Sequence, residues 1–219
     1  AERFNLPNGY KFLETLSPNH LTLLVHVTLP ESLQAIGDGV FEGCTALEYL
    51  SIPNSVTTIG KRAFARSGLV SIVLPPKLTI IQDELFKDCK VLETVIMDDK
   101  ITFIGYHAFY KCVLLTLINL SSVLESMGDG VFCKCESLQS IIMPDTVNKL
   151  GDATFKDCTS LIEVQLSKLI TTIPMNTFAD CRQMAVVPNL SNVVSIETGA
   201  FAGCSNLRTR IVFSNPMII

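Results

Sequence analysis

The chain has 219 residues, is 48% hydrophobic and only 17% charged, and carries a net charge of −4. That much apolar material excludes disorder, and the lack of a basic excess excludes a protein held on nucleic-acid phosphates. No nucleic-acid partner is expected. No membrane span is expected either, because the longest uncharged stretches, 15–30 and 183–196, are broken by proline and fall short of the roughly 20 apolar residues a span needs.

In chain order, residues 1–20 come first, with Phe4, Leu6, Tyr10, Phe12, Leu13 and Leu16 outside the register that governs the rest. They are expected to form an amino-terminal cap. From residue 21 a period takes over. Phe41, Phe64, Phe86, Phe109, Phe132, Phe155, Phe178 and Phe201 are separated by 23 residues, except for a single gap of 22 between Phe64 and Phe86. Three residues after the phenylalanine stands Cys44, Cys89, Cys112, Cys135, Cys158, Cys181 or Cys204, with Ser67 the one substitute. Five residues before it the slot is always apolar, and eight before it always aliphatic, as in Ile36 and Leu33.

Each unit opens with a Leu-x-x-Ile-x-Leu run such as 47–52, which reads as a short strand with Leu50 and Ile52 on one face and Tyr49, Ser51 and Pro53 on the other. A 23-residue unit cannot close a core alone, so units must stack, ring on ring and leucine on leucine. The expected fold is a right-handed solenoid with one strand per repeat in a parallel sheet and short helical or 3-10 turns around each phenylalanine on the convex side. Eight repeats fill 21–206, and 207–219 make a partial ninth or a cap. In that last segment Arg210 takes an otherwise aliphatic slot, where it would guard an edge strand, and the tail 216–219 is apolar.

The string Ile-Pro-x-Ser-Val-Thr-x-Ile-Gly-x-x-Ala-Phe at 52–64, with Phe-x-x-Cys-x-x-Leu as at 155–161, resembles the BspA-type leucine-rich repeat over residues 24 to 207. Departures are Gln82, Pro174 and Glu197 in a glycine slot, Met184 for the opening leucine, and Pro188-Asn189 in the eighth strand. The resemblance implies protein or ligand binding, often at cell surfaces, and no catalytic activity.

The residues themselves point the same way. No phosphate loop, dinucleotide loop, nucleophile elbow or His-Glu-x-x-His is present, so neither a cofactor nor a metal is expected. His20, His26 and His107 fall in different slots and read as surface histidines. The cysteine column reads as buried, unreactive thiols, whereas Cys133, one residue after Phe132, reads as exposed. Seven unpaired thiols would favour a reducing compartment, while the resemblance favours a secreted or surface location. Both stay open here. The sequons at Asn119 and Asn189 are chance-level matches.

The outward strand slots are more informative. Taken three per strand, these 24 positions hold only two charges, Asp98 and Glu163, and Val73, Ile96, Leu117 and Ile142 form an apolar run between Tyr49, Ser51, Asn119 and Gln165. An exposed patch of that kind marks an interaction site. The expected function is therefore a non-catalytic module that binds a protein partner on this face, with a cell-surface adhesin or ligand-capture domain, or a scaffold subunit of a larger assembly, as alternatives.

Overall fold

A computed structural model describes residues 2–16 and 18–208 as a parallel β-solenoid of about eight turns with almost no helix. The expected ninth strand, Arg210 and the apolar tail lie outside the described residues.

Stacking begins with the phenylalanines. Consecutive rings from Phe41 to Phe201 lie 5.2–5.7 Å apart, centroid to centroid, with planes within 4–21° of parallel. All but the last are fully buried, and the aliphatic slots eight and five residues before them form continuous columns beside the stack. The chain passes each ring in a series of hydrogen-bonded turns, such as Glu42 N–H to Gly39 O and Cys44 N–H to Phe41 O. These turns never lengthen into a helix: among the described residues the only helix is the 3-10 turn Pro18–Leu23.

Two residues per repeat, two before and two after the phenylalanine, stand in the left-handed region in all eight repeats. Apart from Gly9, every positive φ falls in these slots. Their purpose is visible in the ladder they permit. The N–H groups of residues −2, 0 and +2 all point toward the following repeat, as in Gly39 to Lys61 O at 2.9 Å, Phe41 to Ala63 O at 2.8 Å and Gly43 to Ala65 O at 2.8 Å. The same three bonds recur at all seven interfaces, down to Asn176, Phe178 and Asp180.

Opposite this wall runs the expected sheet, formed by Leu24–Thr28, Ser71–Val73, Thr94–Ile96, Leu117–Ile118, Ser140–Ile142 and Glu163–Gln165, paired in parallel in three groups. The run 49–53 turns Leu50 and Ile52 into the core but pairs with neither neighbour as a strand. Pro188, which has no N–H to donate, sits where the eighth strand was expected and none forms. The sequence pattern also missed a second column of two-residue strands, Ala35–Ile36, Thr58–Ile59, Ile80–Ile81, Phe103–Ile104, Ser126–Met127, Thr172–Ile173 and Ser195–Ile196. Each ends on the apolar residue five before the phenylalanine.

The amino-terminal segment differs from its expectation in one respect. Glu2–Asn5 and Phe12–Leu13 pair in parallel with Leu24–Thr28 and Ala35–Ile36, so the segment extends both columns by one rung. It lacks the Phe-x-x-Cys turn, and the 3-10 helix stands in its place. The missing residue of the 22-residue unit is absorbed at Gly68. Its N–H donates to Cys44 O, and a Cβ there would lie 2.2 Å from Thr45 O, so only glycine fits the shortened arc.

Two outcomes follow for stability. Phe109→Ala empties a slot packed on both sides by neighbouring rings and should cost about 3–5 kcal/mol in a denaturant melt. Ala153 holds a φ of 52°, so Ala153→Gly should gain about 1 kcal/mol in the same measurement.

Candidate functional site

The strand face is narrower than the sequence suggested. Its first two outward slots are exposed from His26 to Gln165 apart from half-buried Thr94, but the third closes over the core: Pro30, Pro53, Pro75, Ser121 and Ser167 are buried, Pro144 and Leu190 are half-buried, and Asp98 alone in that slot is fully exposed. The alternation of the strand ends there because the chain turns inward after the second outward residue. The apolar run itself stands clear. Tyr49, Val73, Ile96, Leu117 and Ile142 are exposed by 65%, 59%, 56%, 54% and 66%, and Ser51, Asn119 and Gln165 are exposed beside them.

Parallel pairing brings the members of this run together. Ser71 lies opposite Thr94 and Val73 opposite Ile96, Leu117 lies opposite Thr94, and Ile142 lies opposite Gln165. Two shallow depressions result, one lined by Tyr49, Ser51, Ser71, Val73, Thr94 and Ile96 and the other by Leu117, Asn119, Ser140, Ile142 and Pro144. Glu163 is the only Asp, Glu, Lys or Arg in the first two slots.

Charge gathers on the opposite wall, where it is largely spent in pairs. Arg62 donates to Glu42 at 2.6 Å, Lys87 to Glu84 at 2.6 Å, and Lys61 lies 2.8 Å from Asp83. Asp38, Asp83, Asp129 and Asp152 accept backbone N–H groups of the next repeat at 2.7–3.2 Å, so this acidic slot helps hold neighbouring turns together.

The cysteine column has a physical reason that spacing alone could not supply. Each column thiol from Cys89 to Cys204, Cys133 being outside the column, donates to a main-chain carbonyl of the preceding repeat at 3.0–3.2 Å, and in every case that carbonyl belongs to the column phenylalanine. The same carbonyl also takes the N–H of its own repeat's third residue, so both lone pairs are filled. Burial pushes the thiols of Cys89 and Cys133 up to about 11 and that of Cys44 up to about 12, and it holds Cys112, Cys135 and Cys158 well above the ordinary thiol range.

Two expectations are corrected on this wall. Cys133 is buried, with only 6% of its surface open, because its slot is shallow: Ala65 and Ala179 are covered there too, and a short side chain never clears the turn as Lys87 or Lys156 does. His107 is half-buried. Its ring is stacked between Tyr106 and Tyr110, at 3.8 and 4.5 Å, and its Nδ1 is buried without a hydrogen-bond partner. His26 is exposed on the strand face, 3.3 Å from the Thr28 hydroxyl. His20 lies in the 3-10 helix before the first phenylalanine turn, three repeats away from His107. Among the described residues no three His, Cys, Asp or Glu side chains converge as a metal site, and no helix is long and apolar enough to cross a membrane.

A parallel solenoid built on a phenylalanine stack and leucine columns defines a leucine-rich-repeat protein. The chain belongs to the BspA type leucine rich repeat region family, which it matches in six copies over residues 19–136 and 102–217. Among solved structures it is similar to a leucine-rich repeat protein of T. pallidum, with 29% identity and a TM-score of 0.59 over 80% of this chain and 72% of that one. It is also similar to a leucine-rich repeat protein from Bacteroides ovatus ATCC 8483, with 23% identity and a TM-score of 0.59 over 94% of this chain and 65% of that one. The pneumococcal vaccine antigen PcpA shares the fold at 18% identity and a TM-score of 0.53, over 91% of this chain and 55% of that one. The chain thus spans less than two thirds of the latter two. No curated protein matches it.

The thiols supply a direct check. In the native protein at pH 8, iodoacetamide followed by mass spectrometry should leave Cys89, Cys112, Cys135 and Cys158 unmodified, and denaturation should release them. Their folded pKa values lie above the unfolded value of about 8.5, so the stability they contribute is complete below that pH. It is lost as pH rises through the folded range, and the denaturant midpoint should fall accordingly above about pH 8.5.

Proposed function

We propose that the protein is a non-catalytic interaction module, capped at 1–20, whose protein partner docks on the strand face at Tyr49, Ser51, Val73, Ile96, Leu117, Asn119, Ile142 and Gln165. One observation carries the reading: five large apolar side chains stand more than half exposed on a strip where no Asp, Glu, Lys or Arg occurs between Tyr49 and Ile142 in the first two slots. Apolar anchors ringed by small polar groups are the usual make-up of an interface centre. The stacked strands hold them rigidly, so little ordering cost opposes association.

The family's association with protein interaction supports this reading. Affinity capture on the immobilised protein, run in parallel from a cell extract and from purified matrix proteins, separates a scaffold from an adhesin or ligand-capture role. The double variant I96K/I142K leaves every core column intact. It should keep the parent's melting profile and lose the captured partner by roughly tenfold or more, about 1.4 kcal/mol, because two charges would have to be desolvated in a dry contact. A folded variant that holds the partner as tightly as the parent would move the docking site off this face.

A further inference from the structure

The fourth turn of the convex wall is exceptional in one slot. In the slot two before the phenylalanine the other repeats place Gly39, Arg62, Glu84, Gly130, Ala153, Asn176 and Gly199, whose side chains are absent, small or able to reach solvent. The fourth repeat places an imidazole there, in the left-handed region at φ 51°. Its backbone N–H is the first of the three ladder donors of that turn, bonded to Asp129 O at 2.9 Å, and Phe109 and Lys111 supply the other two.

The half-buried ring is packed along much of its surface. Tyr106 and Tyr110 stack against it at 3.8 and 4.5 Å, and the edge carrying Cδ2 and Nε2 lies against Gly130, where a Cβ would come within 2.3 Å of the ring. Nδ1 has no partner and no solvent. A neutral imidazole tolerates this with its proton on Nε2, because an unused lone pair costs less than an unused donor.

We propose that His107 makes the fourth convex turn an acid-labile seam: protonation puts a hydrogen on Nδ1 that the packing leaves without an acceptor, and the Tyr106–Lys111 turn opens to give it one. The charged groups around the ring do not rescue the cation. Lys87 from the third repeat opposes it. Glu84, from the same repeat, is held by Lys87 at 2.6 Å and by Arg62 at 3.6 Å. Asp129 from the fifth repeat accepts the Asp152 N–H at 2.9 Å. Lys111 lies over the Tyr110 ring and is paired with Asp88 at 3.9 Å, and the Cys133 thiol beside Gly130 is neutral.

Burial first, and then Lys87, hold the His107 imidazolium below its ordinary range. The sign follows. A folded value below the unfolded value of about 6.5 means that the stability of this turn is complete above that pH and is lost as pH falls through the folded value. Reference carboxyl values of about 3.9 to 4.3 lie below this window, so a comparison between pH 7.5 and 5 acts chiefly on histidine.

The test uses the full chain. Amide hydrogen exchange at Phe109 and Lys111, corrected for its intrinsic pH dependence, is compared at pH 7.5 and pH 5 in the parent and in His107→Asn. Asparagine is already accepted in this slot at Asn176 with φ 54° and carries no titrating proton. The parent should lose protection at these two amides at pH 5 while the equivalent amides Phe155 and Asp157 keep theirs, and the variant should show no such loss. Carbon-13 NMR titration of the His107 ring in the parent reads the same event without a mutation and should place its midpoint below 6.5. Equal loss in parent and variant, or a midpoint at or above 6.5, overturns the proposal.

Discussion

Everything in this structure hangs on the face-to-face stack of eight phenylalanines and the three backbone bonds that accompany each ring. The rings lie 5.2–5.7 Å apart, centroid to centroid, while the chain around each ring is tied to the next repeat by its three backbone bonds. The left-handed residues on either side of the ring are the cost of that arrangement. Arg62, Glu84, Lys111 and Ala153 would each prefer another backbone region, and they are held by ladder bonds that form only when the next repeat is present. The repeats stabilise one another's strained turns, which couples neighbours more tightly than leucine contact alone would.

The cysteine column belongs to the same machinery. The second donor to the phenylalanine carbonyls from Phe64 to Phe178 comes from the following repeat, and it must be small enough to pass between stacked turns. A thiol meets both conditions and tolerates burial without the desolvation cost of a stronger donor. Ser67 stands in the one unit whose arc is a residue short, where its hydroxyl pairs with the Cys89 sulfur at 3.4 Å. Thiol chemistry at this column would take the proton away from the carbonyl that holds it, so the column's structural role and its lack of reactivity have one cause.

How far the sequence could be read depended on whether a feature repeats. The phenylalanine, cysteine and aliphatic columns were legible because each recurs at a fixed offset and buries the same way every time. The second strand column was not, since two residues give no alternation to detect and only the inner one of each pair is constrained. The left-handed slots were hidden because glycine fills only five of sixteen, the bonded ladder overriding local preference at the rest. Cys133 and His107 were misplaced for a common reason: a slot occupied elsewhere by lysine or arginine looks exposed, yet its base is covered, and a side chain too short or too flat to climb out stays under. Of the candidate docking face, the apolar run was readable from alternation, while its true width was not. The burial of Pro53, Pro75 and Ser167 reflects where the chain turns inward, which no residue pattern announces.

The composition of that face is a choice the fold leaves free. First-slot and second-slot residues touch no core column, and Glu163 shows that a charge can stand there on a properly paired strand. The opposite wall, built on the same period, carries arginine, lysine, aspartate and glutamate in most of its exposed slots, so the chain has no general shortage of charge to place. Strand propensity accounts for Val73 and Ile96 but not for Tyr49 in a run that forms no strand, nor for Leu117, which a pleated surface does not specially favour. Five consecutive units thus keep large apolar groups in water where alternatives cost the solenoid nothing, and contact with a second surface is the circumstance in which such groups contribute.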